Sequence, residues 1–347
     1  MILGCMLAAS LLSGAALAGE IGVSAKGHAS NPTWSRDGQY LAFEVNTFGG
    51  QIDMFVVKVQ NGSGVSAPQQ VKLPGATSSF ASAGAIAVSP VWHPQGRLIF
   101  EGSLKGGTSR LYDWAPGGTT ATELLSATQI AGDLTWPTVR GDGGSVVFVS
   151  DASGLGDLYG WDRNTNKVNQ LLTSPFTESA PRHGAGDTLS YSRKNQGTED
   201  LFLFAAGKSI PLVGGNGDQS RPTWAGSTVV FWSSERGTEH WDLVASGGAG
   251  QKKTLAKDVR LPDRAPPAVT PDGLWVAYGL SDPERDDRIM FTSVDGSRTV
   301  EVETGLVACG EPSVTAAGGR WYLAFTALPS EGSDWRSLHI IDITGKL

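Results

Sequence analysis

The sequence predicts an all-β fold, a seven-bladed β-propeller of four-stranded antiparallel blades. Three observations predict it. One short phrase returns seven times, the returns are about 45 residues apart, and each interval reads as short strands with no helical period. The phrase is clearest at Asn31-Pro32-Thr33-Trp34-Ser35-Arg36-Asp37-Gly38 with Leu41-Ala42-Phe43, and again at Ser89-Pro90-Val91-Trp92 with Leu98-Ile99-Phe100. Weaker copies start at Pro137, Pro181, Pro222, Pro267 and Pro312, which leaves gaps of 58, 47, 44, 41, 45 and 45 residues. A period of roughly 45 is the length of one propeller blade.

Within a copy, a proline opens the first strand, often with Trp two residues on. A polar turn follows, such as Arg36-Asp37-Gly38 or Gly141-Asp142-Gly143, where Gly accepts positive φ and Asp bonds its own backbone. The second strand carries an apolar–x–aromatic pair in every copy: Leu41/Phe43, Leu98/Phe100, Val146/Phe148, Leu189/Tyr191, Val229/Phe231, Val276/Tyr278 and Leu323/Phe325. With a side-chain period of two, each pair shares a face, so an aromatic is expected between adjacent blades. Third strands follow at Met54–Val56, Leu111–Tyr112, Leu158–Tyr159, Leu201–Leu203, Asp242–Val244, Ile289–Phe291 and Leu338–Ile340. Trp114, Trp161, Trp241 and Trp335 lie in or beside them, where packing between blades is expected.

The last copy ends without a fourth strand, and Glu20–Ser24 offers one, so this N-terminal strand is expected to close the last blade and cover its edge. The first copy is the longest, with excess at Asn61–Pro68 and Ala76–Ala85. Two units result: a signal peptide over 1–18 and a single propeller domain over 19–347, with repeats starting near residues 30, 88, 133, 177, 218, 263 and 309.

Composition narrows the function. Net charge is −7 with no basic run, which argues against nucleic acid. No segment after residue 20 is apolar for long enough to span a bilayer. Met6–Leu17 is apolar and ends at Ala16-Leu17-Ala18, the small–x–small pattern of a leader cleavage site, although no Lys or Arg precedes it. Periplasmic or secreted placement follows, with cleavage near Ala18. Loss of the leader removes Cys5, so Cys309 has no partner for an internal disulfide and reads as a small core residue.

The phrases at Pro32–Phe43, Pro90–Phe100 and Pro267–Tyr278 resemble the TolB-type propeller repeat, a relative of WD40 whose hallmark is Pro-x-Trp-Ser-Pro-Asp-Gly followed by Leu-x-Phe. The resemblance covers about residues 30 to 345. It implies an exported binding propeller. Relatives include a periplasmic protein of an envelope-spanning complex that binds a peptidoglycan-associated lipoprotein, and propellers attached to peptidases. No α/β domain of the TolB kind precedes the propeller here, no hydrolase domain accompanies it, and seven copies stand where TolB has six blades.

Chemistry is sparse. No Gly-x-Ser-x-Gly elbow, phosphate loop or His-Glu-x-x-His occurs, and the five histidines are scattered, so no catalytic and no metal-binding residues are assigned. The turn leading into the first strand is more informative. It carries Asp133, Glu178, Asp218, Asp263 and Glu311 within four residues of the proline, and His28 holds the matching place in the first copy. Asn31, Trp136, Arg221 and Arg264 belong to the same turns. Because the innermost strand lines a propeller's channel, these ten residues are expected to ring one mouth. Such a rim suits a cationic segment, or Ca²⁺ if any ion is bound; no other cofactor is expected. Loops between second and third strands should open on that face, the densest in charge being Asp282–Asp287. The expected function is a monomeric, non-catalytic scaffold for an envelope protein or peptide of basic character. The alternative is a glycan- or peptide-processing enzyme with its active site in the channel mouth.

Overall fold

The computed structural model describes residues 18–23, 26–47, 49–76, 84–195, 197–248, 250–281, 287–330 and 332–347. Most of the apolar N-terminal stretch read as a leader, residues 77–83 of the Ala76–Ala85 insertion and most of the Asp282–Asp287 cluster lie outside those residues. Every regular element described is a strand. No helix is long and apolar enough to cross a membrane.

The strands follow the repeat. The third copy gives Leu134–Val139, Ser145–Ser150, Asp157–Asp162 and Lys167–Gln170, a four-stranded antiparallel meander in sequence order. The fourth copy repeats this with Thr177–His183, Leu189–Asn195, Thr198–Ala205 and Lys208–Val213, and the fifth with Gln219–Ala225, Thr228–Ser233, Asp242–Ser246 and Lys253–Ala256. In the sixth, the first strand is split into Val259–Arg260 and Ala268–Val269 around Pro262, Pro266 and Pro267, which lack the N–H that a ladder needs. The first two copies share one nine-stranded sheet, because Gln51–Gln60 of one meets Ile86–Trp92 of the next through a single parallel pair, Ile52 with Ile86.

The last sheet contains Val307–Ala317, Arg320–Leu328 and Ser337–Asp342, and its fourth strand is Gly19–Ile21 from the other end of the chain. Gly19, Glu20 and Ile21 pair antiparallel with Ile340, His339 and Leu338. Ile21 is buried beside Tyr322 and Leu338. The N-terminal segment thus closes this sheet as its sequence predicts, over Gly19–Ile21 rather than Glu20–Ser24.

The aromatic of the second strand is buried in all seven copies. In five of them its cross-strand partner is another ring: Phe43 with Phe55, Phe100 with Tyr112, Phe148 with Tyr159, Tyr191 with Phe202 and Phe325 with His339, at centroid distances of 5.7–6.2 Å. Stacked cross-strand rings add about 0.5–1.5 kcal/mol each beyond the area they bury. Cys309 is fully buried in the core of the last copies, in contact with Thr304 and the Leu306 carbonyl.

The recurrent Trp has a specific use. Trp34, Trp92 and Trp224, each two residues after a repeat proline, donate Nε1–H to the carbonyl of the residue after the proline in the preceding copy. The acceptors are Ser313, Thr33 and Arg182, at 3.1, 2.9 and 3.2 Å. The tryptophans therefore lace neighbouring inner strands together, and Trp34 does so between the first copy and the last.

Candidate functional site

Six of the seven inner strands carry a bulge at their proline. In six copies the residue before the proline is left-handed, with φ between 46° and 57°: Asn31, Ser89, Trp136, Ala180, Arg221 and Glu311. The sixth copy differs because Pro266 precedes Pro267, and a proline ring fixes φ near −65°. The pairing register slips at the same places, for example between Ser30 and Thr33 and between Val88 and Val91. Positive φ at a non-glycine residue costs on the order of 1–3 kcal/mol. Its recurrence turns the bulge N–H toward the neighbouring copy, which supplies an acceptor. Ser89 N–H donates to Glu44 Oε1 (2.8 Å), Trp136 N–H to Glu101 Oε2 (3.4 Å), Arg221 N–H to Ser192 Oγ (3.1 Å) and Asn31 N–H to Glu311 Oε2 (2.5 Å).

Glu44, Glu101 and Ser192 each stand directly after the buried aromatic of a second strand. Sequence reasoning missed them. Their signal was a charged or polar residue inside an otherwise apolar strand. Glu44 also accepts from Asn31 Nδ2 at 2.7 Å, so Asn31 links two carboxyl groups, Glu44 and Glu311. Burial pushes both up to about 7, and their mutual repulsion adds to the rise at Glu44.

Arg264 crosses the channel. It comes from the sixth copy, yet Nη2 bonds Glu101 Oε2 of the second copy at 2.8 Å and Nε bonds Ser89 Oγ at 3.0 Å. Its guanidinium also lies 4.5 Å from the ring centre of Trp136 in the third copy. Beside this bridge, Arg221 donates to the Pro262 carbonyl, with Glu199, Asp263 and Glu311 supplying negative charge around it. Burial brings Arg221 down to about 10.

Asn31, Trp136, Arg221, Asp263, Arg264 and Glu311 thus belong to one connected set of groups. The other expected rim residues do different jobs. Asp133 accepts from Ser109 N–H (2.7 Å) and Asp218 from Glu199 N–H (2.9 Å), so each ties its turn to the backbone of the preceding copy, at a loop and at the strand Thr198–Ala205 respectively. Glu178 is buried in an ion pair with Arg193 at 2.8 Å, and Arg193 is stacked on Phe202. His28 accepts from Arg336 N–H and meets the Trp335 ring edge-on. Of the five rim acids, Asp133 and Asp263 are exposed, and Asp263 makes no hydrogen bond or ion pair among the described residues.

A cavity of about 290 Å³ continues from the bulges toward the turns that join first and second strands. Arg36, Arg182 and Arg264 line it together with Trp34, Trp92, Trp136 and Asn31. Neither Glu44 nor Glu311 is part of that lining. Among the described residues, no three His, Cys, Asp or Glu side chains are grouped to hold a metal ion.

No protein-family model matches this sequence. No curated protein matches it either. Solved structures do. TolB from Acinetobacter baumannii superposes with a TM-score of 0.57 at 17% identity, over 80% of this chain and 67% of that one. A puromycin-hydrolysing peptidase of Mycobacterium tuberculosis reaches 0.65 at 14% identity, over 93% of this chain and 52% of its own. An oligogalacturonate lyase in complex with manganese gives 0.59 at 14% identity, over 89% and 87%. Such identities establish architecture and leave activity open: the chain has the fold of a TolB-like β-propeller.

Proposed function

We propose that this protein is an exported, non-catalytic binding propeller that receives a segment of a partner protein or peptide in its central channel, within the bacterial envelope. The observation that carries this reading is the channel cavity. It is walled by arginine and tryptophan side chains, the residue types that dominate binding hot spots. The indoles of Trp34 and Trp92 are held by hydrogen bonds to the backbone, so the wall is built before anything arrives. The leader pattern at Ala16-Leu17-Ala18 supports export, with periplasmic or secreted residence and a mature domain over 19–347.

A benzophenone cross-linker at Thr33, which lines the cavity, tests the reading against one at Lys167, an exposed outer-strand residue. In cells, a discrete adduct at Thr33 and none at Lys167 is expected. Absence of any reproducible adduct at Thr33 would refute channel binding.

A second reading draws on Glu44 and Glu311, two carboxyl groups near neutrality joined by one asparagine. Such a pair suits acid–base chemistry on a glycan or peptide. Binding is preferred because neither carboxyl group faces the cavity. Turnover of oligogalacturonate, abolished by Glu44→Gln, would reverse the preference.

A further inference from the structure

The residue after each repeat proline is Thr33, Val91, Thr138, Arg182, Thr223, Ala268 or Ser313. Six of the seven are small, and one is a long cation. Thr33, Val91 and Arg182 from this set all line the channel cavity. Arg182 has no acidic partner among the described residues. The one hydrogen bond of its side chain runs from Nη1 to the carbonyl of Pro181, its own neighbour, at 3.1 Å. Burial alone lowers its pKa to about 10, with no opposing charge to offset the loss of hydration. The other two arginines in the wall differ. Arg264 is neutralised by Glu101, and Arg36 is exposed at the turn end, where Nη1 donates to the Gly141 carbonyl at 2.7 Å.

Arg182 is half-buried, and a partly desolvated guanidinium without a counter-ion leaves a charge that a ligand entering the cavity can compensate. A guanidinium fork with free N–H groups matches a carboxylate in two-point geometry. Two forks in the wall, Arg182 and Arg36, have no acidic partner among the described residues, and of the two Arg182 is the half-buried one, in a chain of net charge −7. That suits one carboxylate on a narrow segment better than a polyanion, which the whole molecule repels. Resting on the binding reading above, we infer that the channel takes an acidic peptide segment, with a side-chain carboxylate of the partner seated on Arg182 between the tryptophans. This is opposite in sign to the basic partner that the acidic turn residues suggest from sequence. The difference arises because those acids are mostly engaged internally, whereas Arg182 is not.

The test uses the mature chain and a short capped peptide of glycine and glutamate with a fluorescent label. The same peptide with glutamine replacing glutamate, and inorganic phosphate as competitor, complete the set. The glutamate peptide should bind at least about tenfold more tightly than the glutamine one, the difference expected for a charge-assisted pair. Phosphate at matched ionic strength should compete no better than chloride. Arg182→Leu should weaken the glutamate peptide by about tenfold or more and leave the glutamine peptide unchanged. Its melting temperature should stay level or rise, because a half-buried charge without a counter-ion has been removed. Arg182→Lys, which keeps the charge and loses the fork, should fall between the two.

Equal binding of the two peptides would overturn the proposal. So would undiminished binding by Arg182→Leu, efficient competition by phosphate, or a leucine variant that melts several degrees lower. If the Thr33 cross-link persists while any of these holds, channel binding stands and its acidic specificity falls. If the cross-link itself is absent, the binding reading has failed first.

Discussion

Glu44 and Glu311 tie the stability of the molecule to pH. Both carboxyl groups are raised to about 7 in the folded chain against an ordinary value of 4.5. The folded state therefore holds more protons than the unfolded chain between those values. Their contribution is greatest below pH 4.5 and declines as pH rises to 7. His183 acts in the opposite sense: burial lowers it to about 4, so its share is complete above 6.5 and is lost as pH falls toward 4. Glu44→Gln keeps an acceptor for Asn31 and Ser89 and cannot ionise. It should match the wild type at pH 5 and exceed it at pH 8 by on the order of 1–3 kcal/mol, measured by urea unfolding at the two values. Trp92→Phe keeps the packing but leaves the Thr33 carbonyl without its 2.9 Å donor, and should cost about 1–3 kcal/mol by the same measurement. The sequence displayed Trp34 and Trp92 as a motif without showing their purpose, because an indole bond to another copy 59 or 279 residues away leaves no local trace. Glu44, Glu101 and Arg182 were visible only as departures from the repeat at one position, and no single copy shows which way that position faces.

At the scale of elements, the second strands were the most legible part of the chain. Their apolar–x–aromatic pair and period of two fix one buried face, and burial of all seven aromatics follows from that alone. The inner strands were less legible. A bulge shifts register after the first residues, so side chains before and after the proline no longer alternate simply. The five turn acids looked equivalent by spacing, yet Asp133 binds a loop N–H, Asp218 a strand N–H, Glu178 enters an ion pair and Glu311 enters the channel set. The closing strand yields a further prediction. Removal of residues 19–23 exposes the edge of Ser337–Asp342 and deletes the buried Ile21 side chain, itself worth about 1.5–3 kcal/mol. The shortened chain should melt lower and form aggregates on size-exclusion chromatography, since an unpaired edge recruits other strands. A monomer of unchanged melting temperature would show that the closing pairs are dispensable.

For the whole molecule, the expectation is seven blades, one for each copy of the repeat. An experimental structure viewed down the channel checks it, and six blades would require two neighbouring copies to merge. The first two copies are where merging would arise, since the Ile52–Ile86 pair already joins their sheets. The overall fold could be read from sequence because it repeats: any one copy is ambiguous, but an error in one is corrected by the others. The channel could not be read in this way. Its character comes from the few positions at which the copies differ, and from Arg264 reaching across to residues more than 160 positions away.

The pairing of Gly19–Ile21 with Leu338–Ile340 also sets an order in time. The strand made first is the strand used last. Synthesis proceeds at about 5–20 residues per second, so the opening segment waits tens of seconds before its partner exists. During that interval each completed meander can fold on its predecessor, but the circle stays open and one edge stays bare. A chain threaded across a membrane from its N-terminus would deliver this segment to the far side ahead of everything it will bind. Closure would then wait until Leu338–Ile340 had crossed as well, and a holdase that shields the bare edge would act until that step.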